Sequence, residues 1–215
     1  MNAEIEAAVE ELYAAFARPT PRVVEGCPCC MSEAQLRTLV ETPLRELTSD
    51  QLREYTALVL LTVGSADDLR HFWPRMVELA VGGERYPDLE IVFGKPTLGG
   101  WREWPAREQA ATERFVDAVM EEMAETEHDP FDVDSWVCAF GRLLEDGLPL
   151  RLAPLLRDTP AAGANLSGLR SLNLRRTAGG KPSNWFWSDA PRAAAELTAW
   201  LRSDAVAEAL ARQGA

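Results

Sequence analysis

Residues 106–125, AREQAATERFVDAVMEEMAE, put Ala111, Phe115, Val119 and Met123 four positions apart. An α-helix turns about 100° per residue, so this step returns each apolar side chain to one face. Arg107, Glu108, Glu113, Arg114, Glu121 and Glu122 fall between them. The stretch predicts an amphipathic helix over 106–125.

The same period recurs outward in both directions. Ile5, Val9, Leu12 and Phe16 mark a first helix that Pro19 and Pro21 end. Ser32 with Gln35, and Thr48 with Gln51, have the spacing of capping boxes. The first opens a helix through Leu36, Leu39 and Val40, which Pro43 ends or kinks. The second opens one that the pattern of Leu52, Tyr55 and Val59 extends to about Val63, with Gly64 as its stop. Ser65 starts a helix whose face is Leu69, Phe72, Trp73 and Met76, and Pro74 should kink it or shift its start. Residues 82–105 are rich in Gly and Pro. Leu89 to Phe93 inside them reads as a helical turn or two, with a strand as the alternative.

Beyond the central helix, Val133, Trp136, Val137, Phe140 and Leu144 form an amphipathic set with Asp132 or Asp134 as cap. A shorter helix over Leu148–Leu156, a weaker one over Gly163–Leu174, and two at about 190–202 and 204–213 complete the chain. A loop over 175–188 carries Gly179, Gly180, Pro182 and Trp185–Trp187. Asp146-Gly147 reads as a helix stop, and no hairpin turn joins alternating runs. The expected fold is all-α, a stack or irregular bundle of nine or ten helices. A HEAT-like superhelix fits short antiparallel links. No strict internal period supports a true repeat protein. One domain over 1–215 is expected, with two halves, 1–81 and 106–215, as the subdivision.

Composition narrows the function. The chain has 215 residues, 22 Lys+Arg against 34 Asp+Glu, and a formal charge of −12. Its pI is about 4.7. Phosphate backbones and anionic lipid repel such a chain, so nucleic acid and membrane are excluded as partners and a protein partner is expected. Eight of the acids lie between Asp117 and Asp134 without a Lys or Arg among them. Asp129, Asp132 and Asp134 lack the EF-hand spacing and its glycine, so caps and solvated surface account for them. The opening MNAEIEAAVEEL has no basic region followed by an apolar one, and no apolar run approaches the ~20 residues of a membrane span. These features predict a cytoplasmic protein.

Gly26-Cys27-Pro28-Cys29-Cys30 is the most specific motif. Clustered thiols in a reducing compartment bind metal or do redox work more often than they form structural disulfides. Cys30 falls just before the helix of Ser32, whose N-terminal dipole favours a thiolate. Zinc is one candidate, held by Cys27, Cys29 and Cys30 with His71 or Cys138 as fourth ligand. Two points bear on this set. Adjacent cysteines point apart, and His71 lies about 200° around its helix from Leu69, off the apolar stripe. Cys27 and Cys30 are alternatively a redox dithiol, in the Cys-Pro-x-Cys order of thioredoxin-like sites but without their βαβ setting. His71 or Arg75 would then lower a thiolate pKa. A packed loop with no ligand is the third reading.

Arg170, Arg175, Arg176 and Lys181 form the one basic patch, a candidate anion site beside Trp185. Of seven Trp, three (Trp73, Trp136, Trp200) lie on apolar helical faces. Four (Trp101, Trp104, Trp185, Trp187) lie in two loops, where packing over helix ends is the simpler role. No nucleotide-binding loop, nucleophile elbow or zinc-protease motif occurs, and only His71 and His128 are histidines. Taken together, these features make an interaction or scaffold protein with a structural Cys-rich loop, zinc as its candidate ion, the leading expectation.

The segments Gly26–Cys30, Leu61-Thr-Val-Gly64, His71-Phe-Trp-Pro-Arg75, Glu90–Lys95, and Trp101 with Trp104 resemble a group of bacterial helical proteins that has no assigned activity. The resemblance implies a soluble helical protein and groups the Cys cluster with His71 and Arg75.

Overall fold

A computed structural model of the chain describes residues 2–82, 88–175 and 184–213. The described residues form eleven α-helices: α1 Ala3–Ala15, α2 Glu33–Glu41, α3 Ser49–Leu58, α4 Ala66–Val81, α5 Leu89–Leu98, α6 Ala106–Glu125, α7 Pro130–Leu144, α8 Leu148–Arg151, α9 Pro160–Arg175, α10 Pro191–Leu201 and α11 Asp204–Gln213. Short 3-10 turns stand at Leu44–Glu46, Trp101–Glu103, Ala153–Leu156 and Trp185–Asp189. Isolated bridges replace any strand among these residues. The fold is all-α. It divides into two compact units, Met1–Phe115 and Val116–Ala215, with the boundary inside α6.

In the first unit α4 packs against α1, α3 and α5, and α2 lies on α3. α4 is therefore covered on more than one side. Leu69, His71, Phe72, Trp73, Pro74, Met76, Val77 and Leu79 are all buried. This corrects the placing of His71 off the core. A helix surrounded by three others has no single apolar stripe, so its angular position does not give its exposure. Pro74 lies within an uninterrupted α4.

α3 stops at Leu58, five residues before the apolar pattern does. Val59 turns extended and Leu60 adopts φ +66°. The chain then closes a tight turn, Leu60 N–H to Val63 O at 2.9 Å. The carbonyls at this helix end take the buried ammonium of Lys95, on α5, which donates to Ala57 O at 2.7 Å and Val59 O at 3.2 Å. A cation at a helix C-terminus satisfies orphan acceptors and meets the negative end of the dipole. Residues 89–98 are thus a full helix rather than the turn or two, or strand, that Leu89–Phe93 allows.

A buried carboxylate joins α4, α6 and the segment that follows α1. Glu108 is fully buried between two arginines. Arg18 Nη2 meets Oε1 at 2.7 Å, and Arg70 approaches both oxygens at 2.8 Å.

In the second unit α9 and α10 pack on α7, α11 packs on α9, and α8 packs on α10. Asp129 caps α7 through Phe131 N–H at 2.8 Å, with Pro130 in the first turn, so neither Asp132 nor Asp134 is the cap. Asp134 is buried instead and accepts from Asn173 at 2.6 Å. The acids of 117–134 are also not unopposed in space. Arg151 bonds both oxygens of Asp117 at 2.7 Å, and Arg157 Nη2 bonds Glu121 at 2.7 Å.

The tryptophans divide differently from their sequence settings. Trp73, Trp101, Trp104 and Trp187 are buried, Trp136 and Trp200 are half-buried, and Trp185 alone is exposed. Trp187 lies in a notch of α7 made by Gly141. A Cβ there would stand 2.4 Å from the indole ring.

This packing sets the expected cost of three substitutions. Glu108→Ala strands two largely buried guanidinium groups and should cost about 3 kcal/mol in urea unfolding. Arg45→Ala, which removes an exposed pair with Glu10, should cost under about 1 kcal/mol. Gly141→Ala should destabilise the chain by about 1–3 kcal/mol, with the Trp187 fluorescence environment altered.

Candidate metal centre

The thiol motif sits on a β-turn between two buried anchors, Val24 and Met31. Pro28 occupies the second turn position, which its fixed φ suits, and Cys30 N–H closes the turn on Cys27 O at 2.9 Å. Met31 N–H shares that acceptor at 3.1 Å, and Ser32 then caps α2 in a full capping box with Gln35.

A second segment straps the loop in place. Cys27 N–H donates to Thr62 O at 2.9 Å, and Gly64 N–H donates to Glu25 O at 2.7 Å. Gly26 pairs with Val63 so closely that a Cβ on it would lie 3.0 Å from a valine methyl. A glycine is what permits the approach. The strap was not foreseen as part of the site. The signal for it was the pair of small residues, Gly26 and Gly64, each shortly after a β-branched pair, Val23-Val24 and Thr62-Val63.

The turn brings all three sulfurs within 4.8 Å of one another. Cys27 and Cys29 Sγ are 2.7 Å apart, and Cys29 and Cys30 Sγ are 4.0 Å apart. Adjacent cysteines therefore do converge here, because the turn bends the backbone between them. With Zn–S about 2.3 Å, two sulfurs of a tetrahedral site stand about 3.8 Å apart, so the Cys29–Cys30 separation matches one shared ion and Cys27 and Cys29 would open by about 1 Å to share it. Cys29 is exposed, Cys27 and Cys30 are half-buried, and no disulfide forms among the described residues.

The two closest thiols share a proton unequally. Hydrogen bonds from the Cys29 thiol, and from the backbone N–H groups of Cys29 and Cys30, hold Cys27 below the usual thiol range. Cys29 is pushed up to about 11, because it shares its proton with Cys27 and then Cys30, whose negative charges also oppose its ionisation. No cation stands among these leading influences, so neither His71 nor Arg75 is what activates Cys27.

Among the described residues no histidine, aspartate or glutamate joins the three thiols. His71 belongs elsewhere. It is buried edge-on to Phe72, with ring centroids 4.8 Å apart. Burial first, and then the Arg18 charge, hold its pKa below the ordinary value, against a smaller opposing effect from Asp68. Arg75 is committed to Leu47 O at 2.8 Å and to Glu78, which also accepts the Tyr13 hydroxyl. Cys138 is buried in α7, in the second unit.

Of the candidate anion site, Arg170 lies half-buried on α9, while Arg176, Lys181 and the side chain of Arg175 fall outside the described residues. A groove of about 700 Å³ opens under Trp185, lined by Asn184, Trp187, Pro191, Thr198 and Arg202, and Arg170 is not part of it.

No helix of the described residues is long and apolar enough to cross a membrane. No protein-family model, curated protein or solved structure matches this chain.

The proton sharing predicts an order of thiol reactivity. At neutral pH iodoacetamide should modify Cys27 fastest and Cys29 slowest of the three, since the thiolate is the nucleophile. Peptide mapping of a short alkylation pulse measures this order.

Proposed function

We propose that this is a helical metal-binding protein that presents one three-thiol receptor, Cys27, Cys29 and Cys30, to its surroundings. The observation that supports it is the convergence of three sulfurs within 4.8 Å on an exposed, preformed turn. Thiolates select soft and borderline d10 cations, and zinc is the abundant one.

The site differs from the closed structural zinc site of the leading expectation. Such sites surround the ion with four protein ligands, whereas this loop offers three and leaves one position open. Water, or a donor from a protein partner, fills the fourth place. Val23 and Leu61, both strongly exposed and both next to the strapped segments, give the loop an apolar margin that suits a protein partner. We place the protein in the cytoplasm, where thiols stay reduced and available.

A dithiol redox role uses the same residues, but the close pair is Cys27 with Cys29, so Cys-x-Cys rather than Cys-x-x-Cys would carry it.

Titration of the reduced, anaerobic full-length protein with Cd²⁺, followed by sulfur-to-metal charge-transfer absorption, should show one ion per chain. Zn²⁺ should compete for it. Cys29→Ser should lose the site and Cys138→Ala should keep it. A wild-type chain with fully reduced thiols and no absorption change would sink the proposal.

A further inference from the structure

We propose that the three-thiol turn is a receptor for trivalent arsenic, taken as its neutral trihydroxide. This rests on the reading of Cys27, Cys29 and Cys30 as one binding site, and it names the ligand class that their arrangement suits best.

Three features carry the inference. The first is the donor count. The cluster offers three sulfurs, and among the described residues no imidazole or carboxylate joins them. Zinc asks for a fourth ligand. Trivalent arsenic forms three bonds, and its lone pair takes the remaining position.

The second is direction. The three sulfurs belong to four consecutive residues of one turn whose backbone is closed by Cys30 N–H on Cys27 O. Cys29 is exposed and Cys27 and Cys30 are half-buried, so the cluster is open to solvent. A pyramidal centre takes all its bonds from one side. A tetrahedral ion needs a donor from the solvent side as well.

The third is charge. Three thiolates around a divalent ion leave a net −1, in a chain already at −12 and with no cation among the groups that act most strongly on Cys27 and Cys29. Condensation with arsenic trihydroxide leaves no charge. Each thiol proton departs with one hydroxide as water. Three As–O bonds break, three As–S bonds form and three waters are released. Arsenic stays trivalent and nothing is oxidised or reduced.

The preformed turn adds an entropic advantage. The strap through Thr62 O and the buried anchors Val24 and Met31 hold the thiols together before any ligand arrives. Three bonds to one preorganised site form as intramolecular events after the first.

The test uses sodium arsenite on the reduced, anaerobic full-length protein, with Cd²⁺ in a parallel arm. Native mass spectrometry should show one arsenic per chain with the loss of three protons. A thiol reagent should find three fewer reactive thiols. Cys27→Ser, Cys29→Ser and Cys30→Ser should each abolish the three-proton adduct while keeping the helical circular dichroism. An adduct that consumes only two thiols, or one that survives unchanged in Cys30→Ser, overturns the proposal. Cd²⁺ binding without arsenite binding overturns it and leaves the metal reading standing. Arsenite binding without Cd²⁺ or Zn²⁺ binding upholds it and overturns the zinc assignment. Failure of both ligands overturns both.

Discussion

One buried ammonium sets the position of the candidate site. Lys95 is almost wholly out of solvent, and its Nζ holds Ala57 O and Val59 O. Burying a lysine is costly unless its protons find acceptors. The end of a helix supplies acceptors that no intrahelical N–H can use. The two deficits cancel at the point where α3 ends, Leu58, although apolar residues continue. The turn that follows, Val59 to Val63, begins at that end. Because it is a turn, Thr62 O and Gly64 N–H are available to pair with the segment before the thiols. A charge on α5 thus braces the segment against which the sulfurs at residues 27–30 are held.

The charge balance of the chain is resolved in the same local way. Its acids outnumber its bases, yet the structure places arginine where carboxylates would otherwise be isolated. Glu108 is fully desolvated and is tolerable there because Arg18 and Arg70 give it several charge-assisted hydrogen bonds. Arginine suits this work, since its planar fork binds both oxygens of a carboxylate. Arg45 on Glu10 and Arg151 on Asp117 repeat the pattern at more exposed places. None of these arginines is left to serve an anion site.

Much of the helical plan was legible in the residues. The apolar period from Ala111 to Met123 places α6, and the capping boxes at Ser32 and Thr48 form as their spacing requires. These are local properties, settled by side chains within a few residues. What could not be read depends on distant segments. The carbonyls at the end of α3 are met by Lys95, 36 residues beyond Val59. The burial of His71 depends on α1, α3 and α5 closing around α4. Trp187 became core because Gly141, on another helix, leaves room for its ring. The three thiols were legible because four consecutive residues contain them. Their strap was not, and the helical angle that sets His71 off the apolar stripe does not give its neighbours, which are Phe72, Arg18 and Asp68.

The geometry also separates folding from ligand binding. In small zinc domains the ion is the core, and binding energy is folding energy. Here the loop is fixed by backbone hydrogen bonds to Thr62 and Gly64 and by two buried side chains, Val24 and Met31, none of which involves a cysteine thiol. The helices beneath have a hydrophobic core of their own, built on Leu52, Phe72, Trp73 and Phe93. Removing a ligand from the turn would therefore remove none of the interactions that hold it. A site arranged this way can load and unload while the fold persists. Such independence is of little use to a structural ion and is what a receptor needs. The exposure of Cys29 and the open side of the cluster point in the same direction, because a structural ion is best buried and a ligand in exchange must be reached.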